Sequence, residues 1–218
     1  MKSQRAAVNE EELVLSPLAL EGTLTVPMNA RGIVIFAHGS GSSRLSPRNR
    51  QAAEGLHRRA MATLLFDLLT EGEAADRRNV FDIRLLAERL MFAHDWLGKH
   101  RPELSALPRG YFGASTGAAA ALVAAARQGR QVSAVVSRGG RPDLAGDFLA
   151  KVTAPTLLIV GGRDPDVLAL NKSAYDELTC LKALEVVPGA THLFEERGAL
   201  ESLTEMAGVW FAKYLKPE

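Results

Sequence analysis

The chain alternates short, uninterrupted apolar runs with longer segments in which apolar residues recur every three or four positions. An uninterrupted run of strand length is typical of a strand that is covered on both faces. Such runs predict strands at 32–37, 62–66, 107–112, 132–137, 156–160 and 183–187. Because these strands alternate with helical patterns, we predict an α/β fold with a mostly parallel sheet and helices on both faces.

The helical pattern is clearest at 81–99, where apolar residues recur at helical spacing: Ile83, Leu86, Leu90, Ala93 and Leu97. That spacing predicts an amphipathic helix. Further helices are predicted at 47–61, 115–128, 143–150, 167–178 and 194–215, and an exposed loop at 69–79. The first apolar segments, 12–17 and 18–26, predict an edge hairpin. No linker or repeat interrupts the pattern, so we expect a single domain over 1–218.

Length and composition narrow the class of protein. A chain of 218 residues suits one domain, and 26 basic against 25 acidic side chains give no basic field for nucleic acid. Cys180 is the only cysteine, which leaves no internal disulfide and no thiol-rich metal site. No apolar signal segment or run of transmembrane length occurs in the sequence. We therefore expect a cytoplasmic protein that binds neither metal, membrane nor nucleic acid.

A G-x-S-x-G pattern follows the predicted strand at 107–112 and leads into the alanine-rich stretch 118–126. It consists of Gly113, Ser115 and Gly117. This pattern places a serine on a sharp strand-to-helix turn, with its hydroxyl held above the sheet. Glycines are needed because side chains two residues either side of the serine would collide with the adjacent strand and helix. We predict that Ser115 is a nucleophile.

Two further groups follow predicted strands, Asp164 and His192. The carboxyl ends of parallel strands meet at one edge of a sheet, where such folds bind their ligands. The chain order Ser, Asp, His predicts that His192 accepts the proton of Ser115 and that Asp164 orients the imidazole. Asp166 is the alternative acid, although its position also suits the first turn of a helix.

The loop after the strand at 32–37 predicts the second half of the site. The backbone N–H groups of Thr116 and Ser40 are the expected oxyanion-hole donors. His38 is expected to support this loop. Gly39 and Gly41 also form a partial dinucleotide fingerprint, but the third glycine position is Arg44, which makes nucleotide binding a weak alternative.

Four motifs in this order resemble the α/β-hydrolase superfamily, and more narrowly its small, lidless, dienelactone-hydrolase-like branch: 38–42, 113–117, 161–164 and 189–194. The resemblance runs from about Leu18 onward. It implies an α/β-hydrolase fold without a cap domain and cleavage of small esters, thioesters or lactones through an acyl-enzyme, without metal or organic cofactor. Dienelactone hydrolases carry cysteine at the nucleophile position, whereas this chain has Ser115, so the lactone substrate does not carry over directly.

Three arginines lie near the expected catalytic edge: Arg44, Arg138 and Arg141. Guanidinium groups bind carboxylate or phosphate through two parallel hydrogen bonds, so these residues predict a substrate with a negative charge. Alternatively, they pair with Asp143 or Asp147, or face solvent. Three functional alternatives also stay open: acyl transfer to an acceptor other than water, peptide cleavage, and a non-catalytic binding domain.

Overall fold

A computed structural model of the protein describes residues 8–216. Eight strands form one sheet: β1 Val8–Leu15, β2 Leu20–Pro27, β3 Gly32–Ala37, β4 Met61–Phe66, β5 Arg109–Ala114, β6 Val132–Arg138, β7 Thr156–Gly161 and β8 Lys182–Val187. Their order across the sheet is β1-β2-β4-β3-β5-β6-β7-β8. β1 and β2 form an antiparallel hairpin, β2 runs antiparallel to β4, and β3 to β8 are all parallel. The predicted mostly parallel sheet is confirmed.

Residues 8–216 also contain seven α-helices: α1 Pro47–His57, α2 Glu71–Ala74, α3 Arg77–Val80, α4 Ile83–His100, α5 Thr116–Gln128, α6 Pro165–Glu177 and α7 Ala199–Tyr214. Short 3-10 segments cover Pro102–Leu104, Gly129–Gln131 and Pro142–Lys151. The last of these covers the short helix predicted at 143–150, which takes the 3-10 form. It connects β6 to β7 without a cap domain among the described residues.

The prediction was wrong where local turn chemistry outweighs the apolar pattern. The segment 69–79 contains α2 and α3 rather than a loop, because the Thr70 side chain accepts the backbone N–H of Glu73 and the Glu73 carboxylate accepts that of Thr70. This reciprocal capping box stabilises the start of α2. The helix predicted at 47–61 is shorter in the structure: α1 ends at His57, and a turn with Ala60 at φ 57° precedes β4.

Alternate residues of β3 bury their side chains on opposite faces of the sheet. Ile33 and Ile35 belong to the apolar cluster that includes α4 and α5. Val34 and Phe36 belong to the cluster that includes α1 and α7. The strand is therefore covered on both sides, as its uninterrupted apolar sequence predicts.

The topology brings the loops that follow all parallel strands to one edge of the sheet. β5 lies near the centre, between β3 and β6. The loop after β5 is thus flanked by the loop after β3 on one side and by the loops after β6, β7 and β8 on the other. None of the helices in residues 8–216 has the length and apolar character needed to cross a bilayer.

Candidate active site

Ser115 occupies a strained turn between β5 and α5. Its φ of 51° and ψ of −121° lie in a region that non-glycine residues rarely adopt. The backbone around it is held from the β6 loop: Ser115 N donates to the Arg138 carbonyl at 3.2 Å, and the Ser115 carbonyl accepts from Arg141 N at 3.1 Å. The strand–turn–helix geometry that the G-x-S-x-G pattern requires is therefore present.

The two glycines of the pattern allow close backbone packing. A β-carbon at Gly113 would lie 2.4 Å from the Ala118 Cα, and one at Gly117 would lie 2.2 Å from the Ala37 carbonyl oxygen. Both distances are far shorter than van der Waals contact, and the obstructing atoms are backbone. Only glycine fits at these positions, which explains why the elbow has this sequence.

His192 is hydrogen-bonded to a carboxylate through one ring nitrogen. Its Nδ1 lies 2.8 Å from Asp164 Oδ2. Asp164 precedes α6, but its side chain makes no capping bond there and is available to the imidazole. The Asp164 side chain is 16% exposed, against 38% for His192. The structure therefore pairs His192 with Asp164; Asp166 lies in the first turn of α6.

The His192 ring lies against the loop that holds the elbow. A β-carbon at Gly139 would lie 3.5 Å from His192 Cε1. Gly139 directly follows Arg138, whose carbonyl accepts the Ser115 N–H. Residues 8–216 contain no hydrogen bond between the Ser115 hydroxyl and His192. Such bonds are often long in free enzymes and shorten when substrate binds.

The loop after β3, residues 38–42, which we call the oxyanion loop, packs directly on the elbow of Ser115. A β-carbon at Gly39 would lie 2.9 Å from Ser115 Cβ. Ser40 N donates to Thr116 Oγ1 at 3.0 Å, so the two residues predicted to supply N–H donors are neighbours. The Ser40 N–H is nevertheless directed at the Thr116 hydroxyl. Sequence reasoning considered only the backbone of Thr116 and missed this role of its side chain.

His38 connects the loop after β3 to the loop after β4. Its Nε2 accepts the N–H of Leu68 at 3.1 Å, and its Nδ1 lies 3.0 Å from the Gly39 carbonyl. Because Nε2 accepts, Nδ1 carries the proton and donates it to Gly39. Burial lowers the pKa of His38, which favours this neutral form. The contacts agree with the supporting role expected for His38.

Two of the three predicted substrate arginines are paired with carboxylates. Arg44 Nη2 lies 2.6 Å from Glu21 Oε2, and its backbone N–H donates to Asp67 at 2.7 Å. Arg141 makes a two-pronged contact with Asp143, at 2.9 and 2.7 Å. The expectation that Arg44 and Arg141 bind substrate is therefore not supported, because their charges are already neutralised within the chain.

Arg138 differs from these two. It forms no ion pair with a carboxylate among residues 8–216, and its buried Nη1 lacks a hydrogen-bond partner. Burial, together with the nearby charge of Arg48, lowers the pKa of Arg138 to about 10. A partly buried cation without a counter-ion costs free energy that a bound anion would offset.

No family model matches the chain, but several solved structures share its fold. A dienelactone hydrolase crystal structure from Anabaena variabilis ATCC 29413 is 52% identical, has a TM-score of 0.91, and is matched over 97% of this chain and 99% of its own. Est1E from Butyrivibrio proteoclasticus shares the fold, with a TM-score of 0.77 at 16% identity over 94% and 98% of the two chains.

Two curated proteins from Mycobacterium tuberculosis, strains CDC 1551 and H37Rv, are each 59% identical over 206 residues, or 94% of this chain. Both are provisionally named phosphoribosyl transferases. The matched part is 46% of each protein, so the chain spans less than half the length of these relatives.

The sheet order and the elbow define the α/β-hydrolase fold, as the motifs predict. With a relative 52% identical over nearly its whole length, the chain belongs to the dienelactone hydrolase family.

Proposed function

We propose that the protein is a serine hydrolase that cleaves small carboxylic esters, thioesters or lactones through an acyl-enzyme on Ser115. The observation that carries the proposal is the His192–Asp164 pair, 2.8 Å apart, beside the strained elbow of Ser115. A partly buried serine close to a carboxylate-oriented histidine is the arrangement that activates a hydroxyl for attack on a carbonyl. The hydrolase family to which the chain belongs supports the same chemistry.

In this proposal each group of the site has one role. His192 donates from Nδ1 to Asp164, so Nε2 is the nitrogen that accepts the Ser115 proton during attack and returns it to the leaving group. Water then attacks the acyl-enzyme, with His192 again as the base. Asp164 keeps the imidazole in this tautomer and stabilises the imidazolium. These steps call on no metal or organic cofactor.

The negative oxygen of the tetrahedral intermediate is assigned to the N–H groups of Thr116 and Ser40. The Ser40 N–H reaches that oxygen only when it turns away from Thr116 Oγ1, its acceptor in the free protein. A donor of this kind contributes roughly 100-fold to 1,000-fold in rate. Thr116 would thus satisfy the Ser40 N–H until substrate replaces it.

Arg138 extends the proposal to the charge of the substrate. Its guanidinium has no carboxylate partner among the described residues, and its carbonyl receives the Ser115 N–H. A carboxylate or phosphate on the substrate would supply the missing partner.

We also propose a cytoplasmic location, since the single cysteine, Cys180, is free. Phosphoribosyl transfer is not proposed, because the match covers less than half of the proteins that carry that name.

A fluorophosphonate probe tests the proposal directly. We expect one covalent adduct per chain, mapped by mass spectrometry to Ser115, and no adduct in Ser115→Ala. The same variant should lose hydrolysis of a short p-nitrophenyl ester without a change in thermal melting. An adduct at another residue, or wild-type turnover in Ser115→Ala, would remove Ser115 as the nucleophile. Added alcohols or amines that capture the acyl group would favour acyl transfer over hydrolysis.

A further inference from the structure

An apolar cavity of about 130 Å³ opens beside the oxyanion loop. Residues 38–42 of that loop form one wall. Leu68 and Leu69, which follow β4, form another, and Ala74 of α2, Val80 of α3 and Leu86 of α4 complete the lining. We propose that this cavity binds the acyl chain of the substrate and selects a short, uncharged chain. This inference rests on the proposed hydrolase function.

The cavity adjoins the atoms that would react. Gly39 lines the cavity, and a β-carbon at Gly39 would touch Ser115 Cβ at 2.9 Å. Ser40, the proposed oxyanion donor, lines the cavity as well. In the proposed acyl-enzyme the carbonyl oxygen lies toward the Ser40 N–H, and the acyl chain reaches the cavity past Gly39.

The lining is suited to hydrocarbon. Leu68, Leu69 and Leu86 are 0%, 7% and 3% exposed, and no Asp, Glu, Lys or Arg lines the cavity. The only ionisable group in its wall is His38, which burial keeps neutral by lowering its pKa. An apolar wall favours alkyl groups because they leave water there, whereas a charged chain would lose its hydration without gaining a partner.

The size of the cavity limits the chain. An apolar cavity of roughly 150 Å³ holds one benzene molecule, so about 130 Å³ accommodates about four or five carbons. Each methylene that enters should raise kcat/KM about fourfold, from the free energy of burying one CH₂ group. The gain should stop when the cavity is full.

The outer wall is held in place by Glu73. Besides its capping box with Thr70, the Glu73 carboxylate binds Arg89 of α4 at 2.5 Å, and its backbone carbonyl accepts the side-chain amide of Asn79 at 2.9 Å. These contacts tie the segment that carries Val80 to α4. A wall with this many anchors is preformed, which is what selection by chain length requires.

The test is a series of p-nitrophenyl esters: acetate, butyrate, hexanoate and octanoate. We expect kcat/KM to rise about 16-fold from acetate to butyrate, since two methylenes are added at about fourfold each. It should peak at butyrate or hexanoate and fall at octanoate. Val80→Phe, which fills the cavity, should abolish the acetate-to-butyrate gain, measured as the ratio of kcat/KM for butyrate to kcat/KM for acetate.

Val209→Phe is the matched control, because Val209 is 52% exposed on α7, a helix that does not line the cavity. It should keep the wild-type profile. Leu69→Ala, which enlarges the cavity, should shift the optimum toward octanoate, and it provides a second test if Val80→Phe does not fold. Thermal melting identifies variants that are unfolded.

Two results would overturn the inference while leaving the hydrolase intact. One is a flat chain-length profile in a protein whose Ser115 reacts with the fluorophosphonate. The other is an identical profile in wild type, Val80→Phe and Leu69→Ala. If the probe does not label Ser115 and no ester is cleaved, the proposed function fails, and the acyl pocket fails with it.

Discussion

The two sides of Ser115 differ in chemistry. On the side of β3 and β4, the lining consists of the oxyanion loop and aliphatic side chains such as Leu68 and Leu69. On the side of β6, β7 and β8 lie Arg138, Asp164 and His192, all of which are charged or able to take up charge. The comparison indicates that one side suits an alkyl group and the other suits proton transfer and a negative charge.

Two histidines on these two sides show how the partner decides the role. Both follow parallel strands. Both ring nitrogens of His38 bind backbone groups, and the ring is buried. His192 binds a carboxylate through Nδ1 and is 38% exposed, with no hydrogen bond to its Nε2 among the described residues. A histidine bound at both nitrogens supports the fold, whereas one with an accessible nitrogen and a carboxylate can exchange protons.

The largest expected effect concerns the carboxylate on the charged side. Asp164→Asn should lower kcat about 10,000-fold, because the amide favours the wrong imidazole tautomer. Asp166→Asn is the control and should leave kcat near wild type, since Asp164 is the partner of His192. Steady-state kinetics with p-nitrophenyl acetate measures both. A larger loss for Asp166→Asn would transfer the role of the acid to that residue.

On the opposite side, His38→Ala should act through the oxyanion loop. It removes the contacts to the Gly39 carbonyl and the Leu68 N–H, which frees the loop that carries Ser40. The loss in kcat should not exceed the roughly 100-fold to 1,000-fold of deleting one oxyanion donor. A complete loss of activity in a folded His38→Ala variant would instead indicate that His38 takes part in proton transfer.

Arg138 provides a test of charge preference. Arg138→Gln should lower kcat/KM for a carboxylate-bearing ester at least about 30-fold relative to its neutral analogue, the equivalent of about 2 kcal/mol for a partly buried ion pair. Arg141→Gln is the control, because Arg141 is already paired with Asp143. It should change the kcat/KM preference for the carboxylate-bearing ester by less than the equivalent of about 1 kcal/mol. Equal losses for both esters would show that Arg138 is structural and that the substrate need not be anionic.

The smallest effect is on stability in acid, and it concerns the interior on the α4 side. His94 is 1% exposed, and burial lowers its pKa to about 4. The unfolded chain binds a proton below about pH 6.5 and the folded one does not, so the free energy of unfolding falls as the pH drops from about 6.5 toward 4. At pH 5 this amounts to about 2 kcal/mol for one histidine.

Urea unfolding at pH 7 and pH 5 measures that loss. His94→Gln should reduce the difference in unfolding free energy between the two pH values, since one titrating group is removed. Its stability at pH 7 should also fall, because the Tyr111 hydroxyl, 2.9 Å from His94 Nδ1, loses one of its two partners and keeps only the Gln128 side chain. An unchanged difference between pH 7 and pH 5 would show that His94 is protonated equally in both states.

The sequence by itself determined the features that depend on neighbouring residues. The uninterrupted apolar run of β3 specifies a strand covered on both faces, and the glycines of the elbow permit a turn that larger residues would obstruct. The start of α2 also depends on neighbouring residues, since Thr70 and Glu73 stand three residues apart in a capping-box pattern. The sequence pattern nevertheless predicted a loop there. The apolar run and the capping box lie within one strand or one turn, whereas the atom that would obstruct a side chain at Gly117 is the Ala37 carbonyl oxygen of β3.

Only the tertiary structure decided which distant groups meet. Ser40 and Thr116 are 76 residues apart, Arg44 and Glu21 are 23 apart, and the lining of the apolar cavity comes from loops and helices after two different strands. Polar side chains take the partners that the sheet order brings within reach, and buried volume depends on how whole elements pack. The sequence predicts arginines near the site. Only the packing of the chain pairs Arg44 with Glu21 and leaves Arg138 without a carboxylate partner among the described residues.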